Sequence, residues 1–248
     1  MITSRKIKIH YQFATAKGKT QGGNVEIKKR ENFISKYLSK DTSVKLSVPN
    51  KGPGSIETEY DEAIAIPNVI KGIINAEKNN FDVAIISCFS DPGLTACREK
   101  VSIPVIGSGE NSILLAGQLG NQISILSPLS ENKETFKNKI MRLGLEKKYC
   151  STRSINTKVL SLAKDKKSTL DKLIKAGKKA VNEDGADILV LGCMSMAFHD
   201  ITEVVEKKLG VPVINPVKAS ILMAESLVKM KLAHSKLAYP TPAKKIIY

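Results

Sequence analysis

The chain has 248 residues and a hydrophobic content of 42 per cent, which is enough for one large domain or two ordinary domains with their own cores. Its start lacks the apolar centre of a signal peptide and no apolar run is long enough to span a bilayer, so we expect a cytoplasmic protein with no membrane association. The net charge of +15 is spread along the chain without interleaved aromatic residues, which favours a solvated lysine-rich surface over a nucleic-acid partner.

Short apolar runs alternate with segments of helical periodicity along the chain. The runs predict strands at 6–13, 44–48, 83–86, 123–126, 157–162, 187–193 and 211–215. The periodic segments predict helices at 25–40, 57–79 with a break at Pro67, 110–118, 136–143, 169–183, 198–208 and 217–231, and a further helix opened by Ser90-Asp91-Pro92. A polar loop at 14–24 follows the first strand, and another at 127–133 follows the strand at 123–126. Such alternation predicts an α/β fold with parallel sheets.

Two stretches of the sequence repeat each other. Residues 82–88 (DVAIISC) correspond to residues 187–193 (DILVLGC), and Ile103-Pro104-Val105-Ile106 corresponds to Val211-Pro212-Val213-Ile214. A repeat of this length predicts two similar halves, each with a cysteine at the same structural position. The helices that follow the two IPVI-like segments are expected to cross to the opposite half. We therefore predict two pseudo-symmetric Rossmann-like α/β domains, a discontinuous first domain at 1–107 and 217–248 and a second domain at 108–216.

Cys88 and Cys193 each come directly after a buried strand, before a predicted helix. If the halves are related by a pseudo-twofold axis, the two cysteines face one another across a cleft. A helix N-terminus lowers the pKa of a thiol from about 8.5 to between about 3.5 and 7.5, so one cysteine could act as base while the other acts as acid. Such a pair could invert a carbon stereocentre, and its sulfurs should lie roughly 6 to 7 Å apart.

The segments CFSDPGLTACRE at 88–99, GPGSIE at 52–57, IPVIG at 103–107 and LGCMSMAF at 191–198 resemble the hydantoin/allantoin racemase branch of the aspartate/glutamate racemase superfamily. The second cysteine segment is particularly similar to members described as hydrogenase-expression-type proteins. The resemblance implies two Rossmann-like domains, a mechanism that uses no cofactor and no metal, Cys88 and Cys193 as the two bases, and a homo-oligomer. The family's Asn-Pro-Asn-Thr loop is replaced by Gln12-Phe13-Ala14-Thr15-Ala16, which lacks its amides.

Several other residues are candidates for holding a small-molecule substrate. Backbone N–H groups at 89–91 and 194–196 are placed to stabilise an enolate. Asp91 and Glu110 could orient substrate or cap helices, and ligand contact and turn formation are equally compatible with Ser127. The predicted substrate-binding residues are Thr15, Phe89, Ser90, Asp91, Glu110, Ser127, Met194 and Ser195. Cys97 and Cys150 have no counterparts in the repeat, so we expect them to be structural.

The sequence favours a cofactor-independent racemase or epimerase acting on a small amino-acid derivative such as a hydantoin, allantoin or an amino-acid-like acid. Two alternatives remain open at this stage. One is a lyase or isomerase of the same fold that uses a single cysteine. The other is a non-enzymatic accessory or ligand-binding protein linked to hydrogenase expression, which the altered first loop motivates.

Overall fold

The computed structural model describes residues 6–16, 23–162 and 165–243, so residues 17–22 of the predicted first loop lie outside the described part of the chain. The described residues form two four-stranded sheets, and every strand pairing in them is parallel. The first sheet has the order β2-β1-β3-β4 and the second has the equivalent order β6-β5-β7-β8. The strands are β1 (Ile7–Phe13), β2 (Thr42–Ser47), β3 (Val83–Ser87), β4 (Val105–Gly107), β5 (Ile123–Ser127), β6 (Tyr149–Ser154), β7 (Ile188–Leu191) and β8 (Val213–Ile214).

Helices connect successive strands, as parallel pairing requires. They are α1 (Gly23–Ser35), α2 (Glu59–Lys78), α3 (Leu94–Lys100), α4 (Ser108–Leu119), α5 (Lys133–Arg142), α6 (Val159–Leu162), α7 (Lys166–Asp184), α8 (Met194–Ala197), α9 (Thr202–Leu209) and α10 (Pro216–Lys229). The central strands β3 and β7 are buried along their whole length, because helices cover both faces of each sheet. The α/β fold with two equivalent parallel sheets is confirmed.

Helices α4 and α10 join the two halves. Helix α4 follows the first sheet but also packs against β7 and β8 of the second, and α10 follows the second sheet but packs against β3 and β4 of the first. The two helices also pack against each other. Their buried residues include Ile113 and Ala116 in α4 and Ile221 and Ala224 in α10, which are equivalent positions of the repeat. This exchange supports the predicted domain division at 107/108 and 216/217, which stays a prediction.

The predicted strand at 157–162 is wrong. The strand that pairs with β5 is β6, eight residues earlier, and 159–162 forms the short helix α6. All six residues of β6 are half-buried, because this strand lies at the edge of its sheet. A half-buried polar segment such as YCSTRS has neither the continuous apolar run nor the alternation that identifies a strand in sequence.

Three predicted helix boundaries also differ. Helix α2 continues through Pro67, and the missing N–H is tolerated because Ala63, the residue one turn earlier, is exposed to water. The helix predicted at 198–208 begins only at Thr202, as α9, and the separate short helix α8 ends before it at Ala197. Asp200 between them has a φ of 56°. Helix α3 begins only at Leu94, after Gly93 with a φ of 70°, so the predicted cap at Ser90-Asp91 does not start it.

Candidate functional site

A cavity of about 350 Å³ lies where the carboxyl ends of the strands from both sheets meet. Phe13 ends β1, Cys88 follows β3, Pro128 follows β5 and Cys193 follows β7, and all four residues line the cavity. In open parallel sheets, ligands bind at the carboxyl ends of the strands, because the loops there are not engaged in strand pairing. The repeat therefore brings both predicted cysteines to one cavity, whereas the sulfur separation of roughly 6 to 7 Å stays a prediction.

Cys88 lies in a tight turn between β3 and α3. The amide of Asp91 donates to the Cys88 carbonyl at 3.2 Å and closes this turn. The Cys88 Sγ is 3.3 Å from the Ser90 Oγ, and the Ser90 amide also donates towards the sulfur. The hydroxyl and the amide of Ser90 therefore both face the thiol.

Burial raises the pKa of the Cys88 thiol to about 11, and the contacts with Ser90 offset this only in part. The carboxylates of Glu62 and Asp91 raise the pKa further, because they repel a thiolate. The expected lowering by a helix N-terminus does not occur, since α3 begins six residues after the cysteine. Cys88 in the ligand-free protein is therefore a thiol at neutral pH.

Cys193 is the residue that precedes the first turn of α8, and its carbonyl accepts from the amide of Ala197 at 3.2 Å. Cys193 is buried and lines the cavity. The preceding Gly192 is required by close packing, because a Cβ there would lie 2.7 Å from Ile125 Cγ2 and 3.0 Å from the Leu126 carbonyl. The glycine lets β7 end against β5 and so places Cys193 at the cavity.

The structure brings together seven of the ten predicted site residues. Besides the two cysteines, the cavity is lined by Thr15, Phe89, Ser90, Met194 and Ser195. The Phe89 ring packs edge-on against Phe136, with 5.1 Å between centroids, so the two rings form an apolar wall. Thr15 of the altered first loop lines the cavity, and contact of its hydroxyl with a substrate stays a prediction.

Asp91, Glu110 and Ser127 are not among the cavity-lining residues, and their side chains are engaged elsewhere. Asp91 accepts from the amides of Gly109 and Glu110 at 2.9 and 2.7 Å and pairs with Lys139 at 2.6 Å. It therefore caps α4 rather than its own helix. Glu110 pairs with Arg98 at 2.5 Å, and the Ser127 hydroxyl donates to the Leu129 carbonyl at 2.7 Å. These contacts support a structural role for all three residues.

Five charged residues of the cavity wall were missed from sequence, namely Arg30, Glu57, Glu59, Glu62 and Glu131. Arg30 of α1 is 5 per cent exposed, and its guanidinium lies 4.7 Å from the Phe198 ring centroid and 5.3 Å from that of Phe13. Its Nε donates to Glu26 at 3.0 Å. Glu62, in the first turn of α2, is half-buried.

The box Thr58-x-x-Asp61 is the sequence signal that places Glu62 near the cavity, because it fixes the start of α2 at the carboxyl edge of the first sheet. Arg30 had no such signal, since its position depends on the aromatic rings that surround it. The remaining lining residues are Gly54, Ser55, Ile56, Glu57, Thr58, Glu59, Ser87, Glu131, Asn132, Thr135, Phe136, Val159 and Gly192.

The other two cysteines lie away from the cavity. Cys97 is fully buried in α3, and the Cys150 thiol donates to the Ile123 carbonyl at 3.3 Å within the second sheet. Within 6–16, 23–162 and 165–243, no group of three or more His, Cys, Asp or Glu side chains is placed to hold a metal ion. In this described part of the chain, no helix is long and apolar enough to cross a membrane.

Two parallel sheets with a cysteine after the equivalent strand of each, opening on one cavity, define the two-domain α/β racemase architecture. Residues 30–224 match the family described as Asp/Glu/Hydantoin racemase. The chain is 37% identical over 216 residues to the hydantoin racemase of Pseudomonas sp. (strain NS671), covering 87% of this chain and 86% of that relative. The chain therefore belongs to the Asp/Glu/hydantoin racemase family.

Solved structures agree with this assignment. The allantoin racemase from Klebsiella pneumoniae superposes with a TM-score of 0.88 and 27% identity, covering 98% of this chain and 96% of that one. Glutamate racemase isoform RacE1 from Bacillus anthracis shares the fold, with a TM-score of 0.66, 16% identity and coverage of 92% and 83% of the two chains. The resemblance to the hydrogenase-expression-type branch stays a prediction.

Proposed function

We propose that this protein is a cofactor-independent racemase that inverts the stereocentre of a small cyclic ureide, such as a 5-substituted hydantoin or allantoin, with Cys88 and Cys193 as its two acid-base groups. The observation that carries the proposal is that both cysteines, each from one half of the repeat, line one cavity. A proton removed from one face of a carbon and returned to the other inverts that carbon.

The cavity suits a small polar ring with an apolar substituent. Its volume of about 350 Å³ is at the lower end of the range of roughly 300–1,000 Å³ for ligand pockets. Phe13, Ile56, Phe136 and Val159 provide apolar surface, whereas Thr15, Ser55 and Glu57 provide groups that pair with N–H and C=O. Relatives of this chain are named as hydantoin and allantoin racemases. Both compounds have the small polar ring, and a 5-substituted hydantoin can add an apolar group at the stereocentre, whereas the ureido group of allantoin is polar.

Arg30 is the proposed partner of a ring carbonyl oxygen. Among the described residues, only the Nε of its guanidinium has a hydrogen-bond partner, so the terminal nitrogens remain as donors. The stacking against Phe13 and Phe198 fixes the plane of the guanidinium and lowers the entropy lost on binding. The first-turn amides of α8, beside Cys193, are further proposed donors to the enolate oxygen.

In one direction of the reaction, Cys193 removes the proton next to the ring carbonyl and Cys88 donates its own proton to the opposite face. The raised pKa of Cys88, about 11, keeps it protonated and ready for this step. The negative charge passes from the Cys193 sulfur to the carbonyl oxygen and then to the Cys88 sulfur. The reverse direction starts from the form in which Cys88 is the thiolate.

The test is the decay of optical activity of single enantiomers from a panel of 5-substituted hydantoins and allantoin, followed by circular dichroism. The parent is expected to bring the signal to zero, and Cys88→Ser and Cys193→Ser each to slow this by about 100-fold or more, since a serine hydroxyl is a far weaker base. Cys150→Ser is the matched control, because its thiol donates to a carbonyl that a hydroxyl would also serve. Parent-like rates in both active-site variants would refute the assignment.

The same variants separate the alternatives. A one-cysteine lyase or isomerase predicts that one of the two substitutions is nearly silent. A ligand-binding accessory protein predicts saturable binding of a ring compound, without solvent deuterium entering any carbon position.

A further inference from the structure

Glu62 is a carboxylate in the cavity wall that the two-cysteine reaction leaves without a role. It projects from the first turn of α2, on the side of the cavity that also holds Cys88. The Ser90 hydroxyl is close enough to Glu62 to lower the pKa of its carboxyl group by hydrogen bonding, and the Ser90 Oγ lies 3.3 Å from the Cys88 Sγ. The three side chains therefore form a chain in the order carboxyl, hydroxyl and thiol.

A hydroxyl carries a single proton, so this chain has two alternative directions. When Cys88 is a thiol, its proton faces the Ser90 oxygen and the Ser90 proton faces the Glu62 carboxylate. When Cys88 is a thiolate, the Ser90 proton must turn to the sulfur. The Ser90 oxygen then accepts a proton from Glu62, which fits only the protonated carboxylic acid.

A two-base racemase needs this second state. Each turnover that consumes the Cys88 proton leaves Cys88 as a thiolate, and the protein must restore the thiol before it acts on the same enantiomer again. We propose that Glu62, working through the Ser90 hydroxyl, returns a proton to Cys88 after each such turnover. This inference rests on the proposed function and makes Glu62 a positioning residue that acts through Ser90.

The proton balance of the step is simple. The O–H bond of the Glu62 carboxylic acid breaks as its proton passes to the Ser90 oxygen, while the Ser90 proton passes to the Cys88 sulfur. A carboxylate replaces a thiolate, so this step leaves the net charge of the site unchanged. Cys193 releases to solvent the proton that it took from the substrate, and this completes the return to the starting form. Solvent protonates Glu62 again, because the residue is only half-buried and lines the cavity.

The charges around Glu62 suit a proton donor. Burial raises its pKa, and the nearby carboxylates of Asp91 and Glu59 raise it further, whereas the Ser90 hydrogen bond and Lys139 of α5 lower it. A larger fraction of Glu62 is therefore protonated near neutral pH than of an exposed glutamate. Transfer to Cys88 runs downhill, because the pKa of Cys88 is about 11.

The test compares Glu62→Gln with the parent at low and high substrate concentration. Glutamine keeps the size and a hydrogen bond to Ser90 but has no acidic proton to give. We expect kcat/KM to fall by less than about threefold, and the rate at saturating substrate, where the two protein forms must interconvert, to fall by roughly tenfold or more. Glu62→Asp should recover part of the saturated rate, and exposed Glu134→Gln, outside the cavity, should match the parent.

Buffer dependence distinguishes a relay from a purely structural role. In Glu62→Gln the proton must come from a small acid in solution, so the saturated rate should rise with imidazole concentration, whereas that of the parent should not. Ser90→Ala should give the same buffer dependence, because it removes the middle member of the chain. A saturated rate in both variants that is unchanged, or lowered without any response to buffer, would overturn the proposal.

Failure of the relay and failure of the proposed function give different results. If the parent racemises no compound of the panel, the proposed function fails, and the relay is then judged by alkylation of Cys88 with iodoacetamide across pH. Removing the carboxylate charge should move that profile to lower pH in Glu62→Gln, because the like charge that opposes the thiolate is gone. Identical profiles in the parent, Glu62→Gln and Ser90→Ala would overturn the coupling.

Discussion

The ionisation of Cys88 gives a prediction that depends only on the surroundings of one side chain. Its pKa is raised from 9.0 to about 11, chiefly because the sulfur is buried, and secondarily because Glu62 and Asp91 are negatively charged. At any pH below both values, a difference of about 2 pH units corresponds to about 100-fold less thiolate than in an unperturbed cysteine. Since the thiolate is the nucleophile, alkylation should be slower by about the same factor.

The assay is iodoacetamide labelling of the ligand-free protein between pH 6 and about pH 11.5, with an unstructured cysteine peptide as reference. Cys88 and Cys97 share the tryptic peptide 79–98, so fragment ions are needed to assign the label. The sign follows from the raised pKa: the rate constant at Cys88 should climb about tenfold per pH unit through neutrality and level off only near pH 11. A plateau reached at or below about pH 8.5 would refute the reasoning and favour activation by a helix N-terminus.

Three further substitutions test the frame of the site. Asp91→Asn removes the buried charged cap of α4 and leaves half-buried Lys139 without its carboxylate partner, so the free energy of unfolding in urea should fall by about 3 kcal/mol, and a loss below about 1 kcal/mol would contradict the contacts. Gly192→Ala places a methyl group 2.7 Å from Ile125, which should cost about 1–3 kcal/mol in the same measurement and slow racemisation more than tenfold by displacing the second cysteine; a parent-like protein would contradict the packing. Arg30→Lys keeps the charge but loses the planar fork, so kcat/KM should fall by roughly 10- to 100-fold, and an unchanged value would exclude carbonyl recognition by this side chain.

The two equivalent halves and the shared cavity follow from features that are visible in sequence. The strands β3 and β7 are continuous apolar runs, because both faces of a central parallel strand are covered. Their repetition at a fixed spacing, each followed by a cysteine, predicts two equivalent halves. Parallel strands end at a common edge, and this places Cys88 and Cys193 near each other without knowledge of the side-chain packing.

Other features depend on contacts between segments that are distant in sequence. Asp91 was expected to cap the helix beside it or to orient substrate, yet its carboxylate lies against the amides of Gly109 and Glu110. The segment after Asp91 shows an ordinary helix start, and nothing in it indicates that the carboxylate is taken by α4. The edge strand β6 was missed for a related reason, since its polar residues are held by pairing with β5 rather than by burial.

The prediction that the pKa of the Cys88 thiol is lowered was also wrong, for a physical reason. Sequence indicated a strand followed by a helix, and the length of the turn between them decides whether the helix amides reach the sulfur. That turn extends to Gly93, so burial and the nearby carboxylates dominate the ionisation of the thiol instead. Glu62 could be found only once the start of α2 was placed beside the cavity.

The most direct test of the central claim is the position of deuterium during racemisation of a single enantiomer in heavy water. Two bases on opposite faces exchange protons with solvent separately, so the inverted product should carry deuterium at the stereocentre from the first turnovers while the recovered starting enantiomer carries none beyond the blank without protein. Deuterium that appears equally fast in the recovered enantiomer, or inversion without any deuterium, would contradict proton transfer across the substrate between Cys88 and Cys193.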